Sequence, residues 1–204
     1  NAGYKVAIVP QPNWRDDLRD FRKLGKPRLF FGVSAGAMDS MVNHYTANKR
    51  IRHDDAYTPG GKHGMRPDYP TIVYSKILKE IYPDVPVIAG GIEASLRRVS
   101  HYDYWQDKVQ KSILCDSGAD LLIYGMGEKP LADLVKNMKS LLTTEEPVLT
   151  SSKFRTIIGS VPQTAYLCRA TEWTSAEDDL QLYSHEECLA DKKKQASNFR
   201  HIEE

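Results

Sequence analysis

The stretch Leu29-Phe30-Phe31-Gly32-Val33-Ser34-Ala35-Gly36 decides the fold of this chain. Its first five residues form a short apolar run, which is typical of a strand buried on both faces of a parallel sheet. The small residues Ser34-Ala35-Gly36 predict a tight turn, and apolar residues at helical spacing through 38–45 predict a helix after it. A strand that passes through a short turn into a helix is the repeating unit of an α/β fold.

The same unit recurs on both sides of this stretch. Apolar runs predict further strands at residues 4–10, 84–89 and 120–124. Helical spacing of apolar residues predicts helices at residues 14–24, 71–82, 105–113 and 128–142. Strands that alternate with helices indicate a doubly wound parallel sheet of the flavodoxin-like kind, covered by helices on both faces.

The pattern changes beyond residue 150. Two more strands are predicted at residues 154–158 and 164–168. Ser184 and Glu187 then form a capping box, which predicts the start of a charged final helix. We therefore expect an α/β domain over residues 1–150 and a C-terminal extension or linker over residues 151–204.

Composition excludes several classes of protein. The chain has 204 residues, with 28 basic and 27 acidic side chains, and this near-neutral balance argues against a nucleic-acid binder. No apolar run approaches the roughly 18–20 residues of a membrane span, so the sequence predicts a soluble, cytoplasmic protein without a membrane partner. The cysteines Cys115, Cys168 and Cys188 lie too far apart in sequence for a short metal-binding motif. We expect reduced thiols and no metal ligands.

Small or acidic residues follow three of the predicted strands. Carboxyl ends of parallel strands meet at one edge of a sheet, where glycine lets a ligand approach the backbone. This reasoning predicts a ligand- or cofactor-binding site made of Ser34, Gly36, Gly90, Gly91, Glu93, Gly125, Gly127 and Glu128. In it the glycines admit the ligand, and the two glutamates accept hydrogen bonds or cap helices. The alternative is that the glycines serve only the tight turns.

Two other motifs suggest different functions. Gly32-Val33-Ser34-Ala35-Gly36 fits the G-x-S-x-G pattern of serine hydrolases, with Asp120 and His185 or His201 as nominal partners. Both histidines fall in the charged terminal helix, and residues 1–31 contain no oxyanion loop of the His-Gly-Gly type. The hydrolase is therefore the weaker alternative.

The loop at residues 46–70 breaks every period and is rich in glycine, proline and basic residues. Its Gly60-Gly61-Lys62 could bind an anion through backbone N–H groups, although the spacing is not that of a P-loop. A non-catalytic binding or regulatory module that uses this loop is the second hypothesis. A solvated loop without a ligand fits the same residues.

Long segments of the chain together resemble the amino-terminal region of the YgiQ-type radical SAM proteins, an uncharacterised family. The segments that carry the resemblance are Pro12-Asn13-Trp14-Arg15, Leu29 to Gly36, Asp54-Asp55-Ala56-Tyr57-Thr58-Pro59-Gly60-Gly61, Gly90-Gly91-Ile92-Glu93-Ala94-Ser95-Leu96-Arg97-Arg98, His101-Tyr102-Asp103-Tyr104-Trp105 and Tyr124-Gly125-Met126-Gly127-Glu128. The resemblance implies a cobalamin-binding-like α/β domain placed before a radical SAM barrel. That barrel would hold a [4Fe–4S] cluster on a C-x3-C-x2-C motif and would bind S-adenosylmethionine.

This chain departs from the family pattern in two ways. It has no C-x3-C-x2-C motif, so the cluster and the S-adenosylmethionine site are expected downstream of Glu204. Ala2-Gly3 resembles a helix end that leads into the strand at 4–10, so the first strand of the sheet is expected upstream. The resemblance then makes this chain a ligand or substrate platform, whose partners are its own downstream radical SAM domain and an unknown substrate. Catalytic residues stay unknown.

Cobalamin is a separate question. Proteins that bind it base-off use a D-x-H-x-x-G motif, and none of the six histidines here has an aspartate two positions earlier. The residues found there are Val42, Ile51, Gly61, Val99, Tyr183 and Phe199. Base-on cobalamin, another cofactor and no cofactor all stay open.

Overall fold

A computed structural model describes residues 3–203 of the chain. The strands are β1 (Phe31–Ser34), β2 (Val87–Gly90), β3 (His101–Asp103), β4 (Lys108–Gln110), β5 (Leu121–Ile123) and β6 (Thr164–Ala165). The α-helices are α1 (Arg19–Arg22), α2 (Ser40–His44), α3 (Pro70–Ile81), α4 (Gly91–Leu96), α5 (Ile113–Ser117), α6 (Glu128–Ser140), α7 (Ser151–Phe154), α8 (His185–Ala190) and α9 (Lys192–Glu203). Short 3₁₀ turns lie at Pro59–Gly61, Arg155–Ile157 and Ala170–Glu172.

The central sheet has the strand order β1-β2-β5-β6. β1 pairs with β2 in parallel, with Ser34 opposite Gly90, and β2 pairs with β5 in parallel. β6 pairs with β5 in the antiparallel direction at the far edge of the sheet. The predicted α/β class with a mainly parallel sheet is confirmed.

Helices cover both faces of this sheet. On one face, Val33, Val87 and Leu122 pack against residues of α3 and α5. On the other, Ile88 and Leu121 pack against residues of α6 and α7. Neighbouring residues of one strand therefore enter different cores. Each fully buried leucine, such as Leu121, contributes about 2 kcal/mol through the hydrophobic effect.

The predicted strand at residues 4–10 is wrong for this chain, because the segment forms no strand and Val6 and Ile8 are 81% and 83% exposed. No described strand lies beside it, so its backbone lacks the partner that a ladder requires. The expected helix end at Ala2-Gly3 falls partly outside the described residues. Gly3 itself has a φ of 80°, which is common just past a helix end.

Of the helix predicted at residues 14–24, only the single turn α1 at Arg19–Arg22 is helical. Carboxylates of the preceding loop accept hydrogen bonds from backbone N–H groups, since Leu18 N donates to Asp16 and Arg19 N donates to Asp17. Such local side-chain bonds compete with the helix. Leu18 also adopts a left-handed φ of 58°, which stops the helix from extending backwards.

Two further predictions from periodicity are wrong. Residues 105–113 do not form one helix, because β3 and β4 make a hairpin whose turn contains Asp107 at a φ of 54°. Residues 154–158 are helical turns rather than a strand, and they bury Phe154 and Ile158, spaced four apart, in one core. Of the strand predicted at 164–168, only Thr164–Ala165 pairs with the sheet.

The C-terminal part ends in helix as predicted. The capping box of Ser184 and Glu187 is present at the start of α8, and Asp191 separates α8 from α9. The predicted division at residue 150 stays a prediction, although α7 and β6 beyond it belong to the same core and sheet. Within residues 3–203, no helix is long and apolar enough to cross a membrane.

Candidate functional site

The three predicted turns converge at the carboxyl edge of the sheet. Ser34 ends β1 and Gly90 ends β2, directly opposite each other in the ladder. An added Cβ at Gly91 would lie 2.6 Å from Ser34 Oγ, and Gly91 has a φ of 80°. The turn after β5 joins them, because Gly125 N donates to Ser95 Oγ on α4 at 3.4 Å. Only glycine at position 91 fits so close to its neighbour.

The remaining predicted residues lie around this edge. Gly36 follows Ser34 and donates its N–H to Ser34 Oγ at 3.1 Å. Gly127 and Glu128 form the start of α6, where Leu131 N donates to the carbonyl of Gly127. Glu128 is exposed at this helix start, which is a favourable place for an acidic side chain.

Glu93 lies beneath the edge and is completely buried. Its two carboxylate oxygens accept hydrogen bonds at 3.1 Å from Ser40 N and from Thr71 N, in the first turns of α2 and α3. These N–H groups have no partner inside their own helices. Glu93 therefore performs the capping role, and it does so for two helices other than its own.

A buried ion pair supports this glutamate and was not predicted from the sequence. The Arg97 guanidinium donates to the Asp39 carboxylate and, at 3.3 Å, to the Glu93 carbonyl. Asp39 in turn caps α2 by accepting from Met41 N at 3.0 Å. In the sequence, the only indication that Arg97 lies close to Glu93 is their spacing of about one helical turn.

The loop at residues 46–70 is held by a second buried ion pair. Asp55 has no exposed surface and accepts from Arg66 Nε at 3.0 Å and from Asn43 Nδ2 at 2.8 Å. Burial raises the pKa of Asp55, but the hydrogen bonds from Arg66, Asn43, the backbone N–H of Tyr57 and Thr58 outweigh it and hold that pKa well below its usual range. Arg66 also donates to the Ala35 carbonyl at 3.1 Å, which ties the loop to the turn after β1.

Two neighbouring histidines, His44 and His63, lie beside the ion pair of Asp55 and Arg66. His44 Nδ1 is 2.8 Å from an oxygen of Asp68, and Tyr45 donates its hydroxyl to the other oxygen at 2.7 Å. The hydrogen bond from His44 lowers the pKa of Asp68, and the Asp68 carboxylate raises the pKa of Tyr45 to about 12. His44 Nε2 and His63 Nδ1 are buried without a hydrogen-bond partner among the described residues. These contacts tie α2 to the loop.

Apolar side chains stand exposed around the carboxyl edge. Ile92, Leu96 and Met126 are 47%, 59% and 75% exposed, and Met38 is 37% exposed. We call these four residues and the glycine turns between them the edge surface. A group of exposed apolar side chains is a candidate for contact with a ligand or another protein surface.

The groups nominated for a serine hydrolase are not brought together. Asp120 precedes β5, at the opposite edge of the sheet from Ser34, and binds Lys79 Nζ at 2.9 Å. His185 Nδ1 lies 3.0 Å from the hydroxyl of Ser100. His201 lies on α9, exposed.

A cleft of about 580 Å³ lies between the sheet and the C-terminal helices, and none of its lining residues belongs to the edge surface. Trp173 and Tyr183 line it together with the thiols of Cys115 and Cys168. Cys188 is buried and accepts from Asn198 Nδ2 at 3.3 Å. In the described part of the chain, no three His, Cys, Asp or Glu side chains could hold a metal ion together. An iron–sulfur cluster therefore does not fit on these residues.

The fold defines a class, namely an α/β domain with a mainly parallel sheet whose glycine turns lie at the carboxyl ends of the strands. The chain matches the family described as "Radical SAM N-terminal" over residues 1–204, and it belongs to that family.

Relatives of the chain are longer proteins. A UPF0313 protein of Bacteroides thetaiotaomicron is 78% identical over 99% of this chain, and one of Porphyromonas gingivalis is 64% identical over 98%. A UPF0313 protein of Clostridium botulinum is 46% identical over 97%. The matched region makes up 33%, 30% and 28% of these three relatives, so the chain spans about a third of their length. No solved structure matches the chain.

Proposed function

We propose that this chain is the N-terminal ligand or substrate platform of a radical SAM enzyme of unknown substrate. Membership of the Radical SAM N-terminal family supports the enzyme class. In the intact protein, a [4Fe–4S] cluster and S-adenosylmethionine would supply the 5′-deoxyadenosyl radical. The cluster ligands would lie outside these 204 residues, because the described residues offer no suitable set.

The observation that carries the platform role is the edge surface. Met126 is 75% exposed beside glycine turns whose backbone a ligand can approach closely. Ligands of open α/β sheets bind at this edge, outside the carboxyl ends of the strands. The buried Glu93 links α4 to the starts of α2 and α3 beneath the edge, and this support would hold the edge surface in place for a ligand.

The chain's own residues would bind and orient rather than react. Ile92, Leu96 and Met126 would contact the apolar part of a substrate or cofactor, and the glycine turns would contact its polar part through the backbone. Cobalamin is one candidate ligand for such an edge, as the resemblance suggests. Loop 46–70 adds rigidity through Arg66, which is bound to Ala35 and Asp55 and so is not free for an anion.

The test is anaerobic reconstitution of the full-length protein with iron and sulfide, followed by absorption spectra and an assay for 5′-deoxyadenosine. We expect cluster absorbance and 5′-deoxyadenosine formation. Addition of cobalamin, or of the small-molecule fraction of a cell extract, should stimulate turnover in the unsubstituted protein. Met126→Lys should reduce that stimulation by about tenfold or more, since a charge replaces an apolar contact.

The control is Leu189→Lys, at an exposed leucine of α8 away from the edge surface, which should behave like the unsubstituted protein. Equal stimulation of the Met126→Lys and Leu189→Lys proteins would contradict the platform role. Absence of both a cluster and 5′-deoxyadenosine would contradict the enzyme class. In that case the non-catalytic module that binds through loop 46–70 would be the remaining hypothesis, with salt-sensitive binding as its mark.

A further inference from the structure

Residues 45–53 carry a local excess of positive charge that the near-neutral composition of the whole chain does not reveal. Lys49, Arg50 and Arg52 lie within four residues, and residues 45–53 contain no acidic side chain. All three cations are exposed, and none of them forms an ion pair with a carboxylate in the part of the chain that the structure describes. A cluster of unpaired cations attracts polyanions.

The backbone holds these cations on a tight turn. Tyr45 and Ile51 form an antiparallel bridge across it. Thr46 N donates to the Arg50 carbonyl at 2.8 Å, and Lys49 adopts a left-handed φ of 58° between them. These contacts define the backbone of the turn that carries the cations.

Aromatic rings lie against this turn. The Tyr104 hydroxyl, at the hairpin of β3 and β4, donates to the Ala47 carbonyl at 2.7 Å. Lys49 Nζ lies 4.7 Å from the centre of the Tyr104 ring and donates to the Trp105 carbonyl at 3.3 Å. The centre of the Trp105 ring lies 5.3 Å from that of Tyr104 and 5.6 Å from that of Tyr45. The rings and the cations therefore form one surface. We define this basic–aromatic surface as Tyr45, Lys49, Arg50, Arg52, Tyr104 and Trp105.

The basic–aromatic surface has groups available to a ligand. Tyr104 is 48% exposed, and the Arg50 guanidinium has no hydrogen-bond partner among the described residues. Two carboxylates adjoin the surface, but they accept hydrogen bonds from tyrosine hydroxyls rather than from the cations. Asp68 binds that of Tyr45 at 2.7 Å, and Asp107 binds that of Tyr102. The three cations outnumber these two carboxylates.

We propose that the basic–aromatic surface binds a single strand of nucleic acid. Its cations would contact the backbone phosphates, and the exposed Tyr104 ring would stack on a base. A single strand fits this surface because its unstacked bases offer flat faces to an aromatic ring. Phosphates and base faces are common to RNA and DNA, so strands of both kinds should bind alike. None of these residues belongs to the edge surface, so this activity goes beyond the proposed function and does not depend on it.

Fluorescence anisotropy of a labelled oligouridine tests the proposal in the full-length protein. We expect a dissociation constant of about 1–100 μM at physiological salt. Three phosphate contacts predict a slope of about −2 for the logarithm of the binding constant against the logarithm of the salt concentration. Oligothymidine should bind within about threefold of oligouridine. A dissociation constant above about 1 mM for both strands would overturn the proposal.

A matched pair of double substitutions tests the cations. Arg50→Gln with Arg52→Gln should weaken binding by about tenfold and reduce the salt slope to about −0.7, because one phosphate contact stays. Lys192→Gln with Lys193→Gln is the control, since it removes two exposed cations of α9. The control protein should bind like the unsubstituted protein. Equal weakening by the two double substitutions would overturn the proposal, because attraction to the overall charge of the protein would then explain the binding.

Substitutions of Tyr104 test the stacking. Tyr104→Ala should weaken binding by about tenfold without changing the salt slope, because it removes a ring but no charge. Tyr104→Phe keeps the ring and loses the hydrogen bond to Ala47, so it should bind like the unsubstituted protein. Equal weakening by both substitutions would overturn the stacking role, because the hydrogen bond to the turn would then be the cause.

Vesicles that contain phosphatidylserine test a membrane as the alternative polyanion. We expect no binding to these vesicles that depends on Arg50 and Arg52. Vesicle binding that the Arg50 and Arg52 substitutions weaken, together with no effect of Tyr104→Ala on oligouridine, would assign the surface to a membrane and overturn the proposal. Failure of the cluster and 5′-deoxyadenosine assays above would leave all of these binding measurements intact.

Discussion

Replacement of Glu93 by glutamine removes a charge while keeping the shape of the side chain. The carboxylate accepts from Ser40 N and Thr71 N, one bond at each oxygen. A glutamine offers one oxygen and one NH₂ group, so one of these buried N–H donors would face another donor. An unsatisfied buried donor costs about 1–3 kcal/mol, and the loss of charge weakens the bond that stays. We expect Glu93→Gln to lower the free energy of unfolding by about 3 kcal/mol.

The assay is urea unfolding of the 204-residue chain, followed by circular dichroism. With a slope of about 2 kcal/mol per molar urea, the expected loss lowers the midpoint by about 1.5 M. Glu128→Gln is the matched control, because Glu128 is exposed at a helix start and its replacement costs about 0.5 kcal/mol. A Glu93→Gln midpoint equal to that of the Glu128→Gln chain would refute the capping role of Glu93.

Three other predictions use the same chain. Folding lowers the pKa of Asp55, so its ionised carboxylate stabilises the folded chain. This stabilisation is fully present above the unfolded pKa of about 4 and is lost as the pH falls towards the folded pKa. The urea midpoint should therefore fall more steeply below about pH 4 in the unsubstituted chain than in Asp55→Asn, and parallel curves would contradict this. Gly91→Ala should destabilise the chain more than Gly60→Ala, because both glycines have a positive φ but only an alanine at position 91 would clash with Ser34. The difference between the two urea midpoints measures this clash, and equal midpoints would contradict it. Iodoacetamide should label the exposed Cys115 quickly and the buried Cys188 slowly, as peptide mass spectrometry would detect, and equal rates would contradict the packing of α8.

Local sequence predicted the three parallel strands of the sheet. β1, β2 and β5 are short apolar runs followed by small residues, and their strand-to-helix turns need no distant contact to be recognised. The helical turn at Phe154 was missed although Phe154 and Ile158 are spaced four apart, because a short apolar run fits a strand equally well. The hairpin of β3 and β4 was missed because its turn depends on the left-handed Asp107.

The site was predictable only in part. The glycine turns were found because parallel strands bring their carboxyl ends together. The partners of Glu93 were not, since Ser40 lies 53 residues away and Thr71 lies 22 residues away. The ion pair of Asp55 and Arg66 was not predicted either, because the sequence of a loop rich in glycine and basic residues does not indicate which carboxylate is buried.

Arg66 links the ordering of two parts of the chain that are far apart in sequence. Its guanidinium is shared between Asp55 in the loop and the Ala35 carbonyl at the end of β1. Loss of the Arg66–Asp55 pair would leave two buried charged groups without their partner. We therefore expect the loop and the turn after β1 to open together. A ligand held at this turn would stabilise a loop that it never touches.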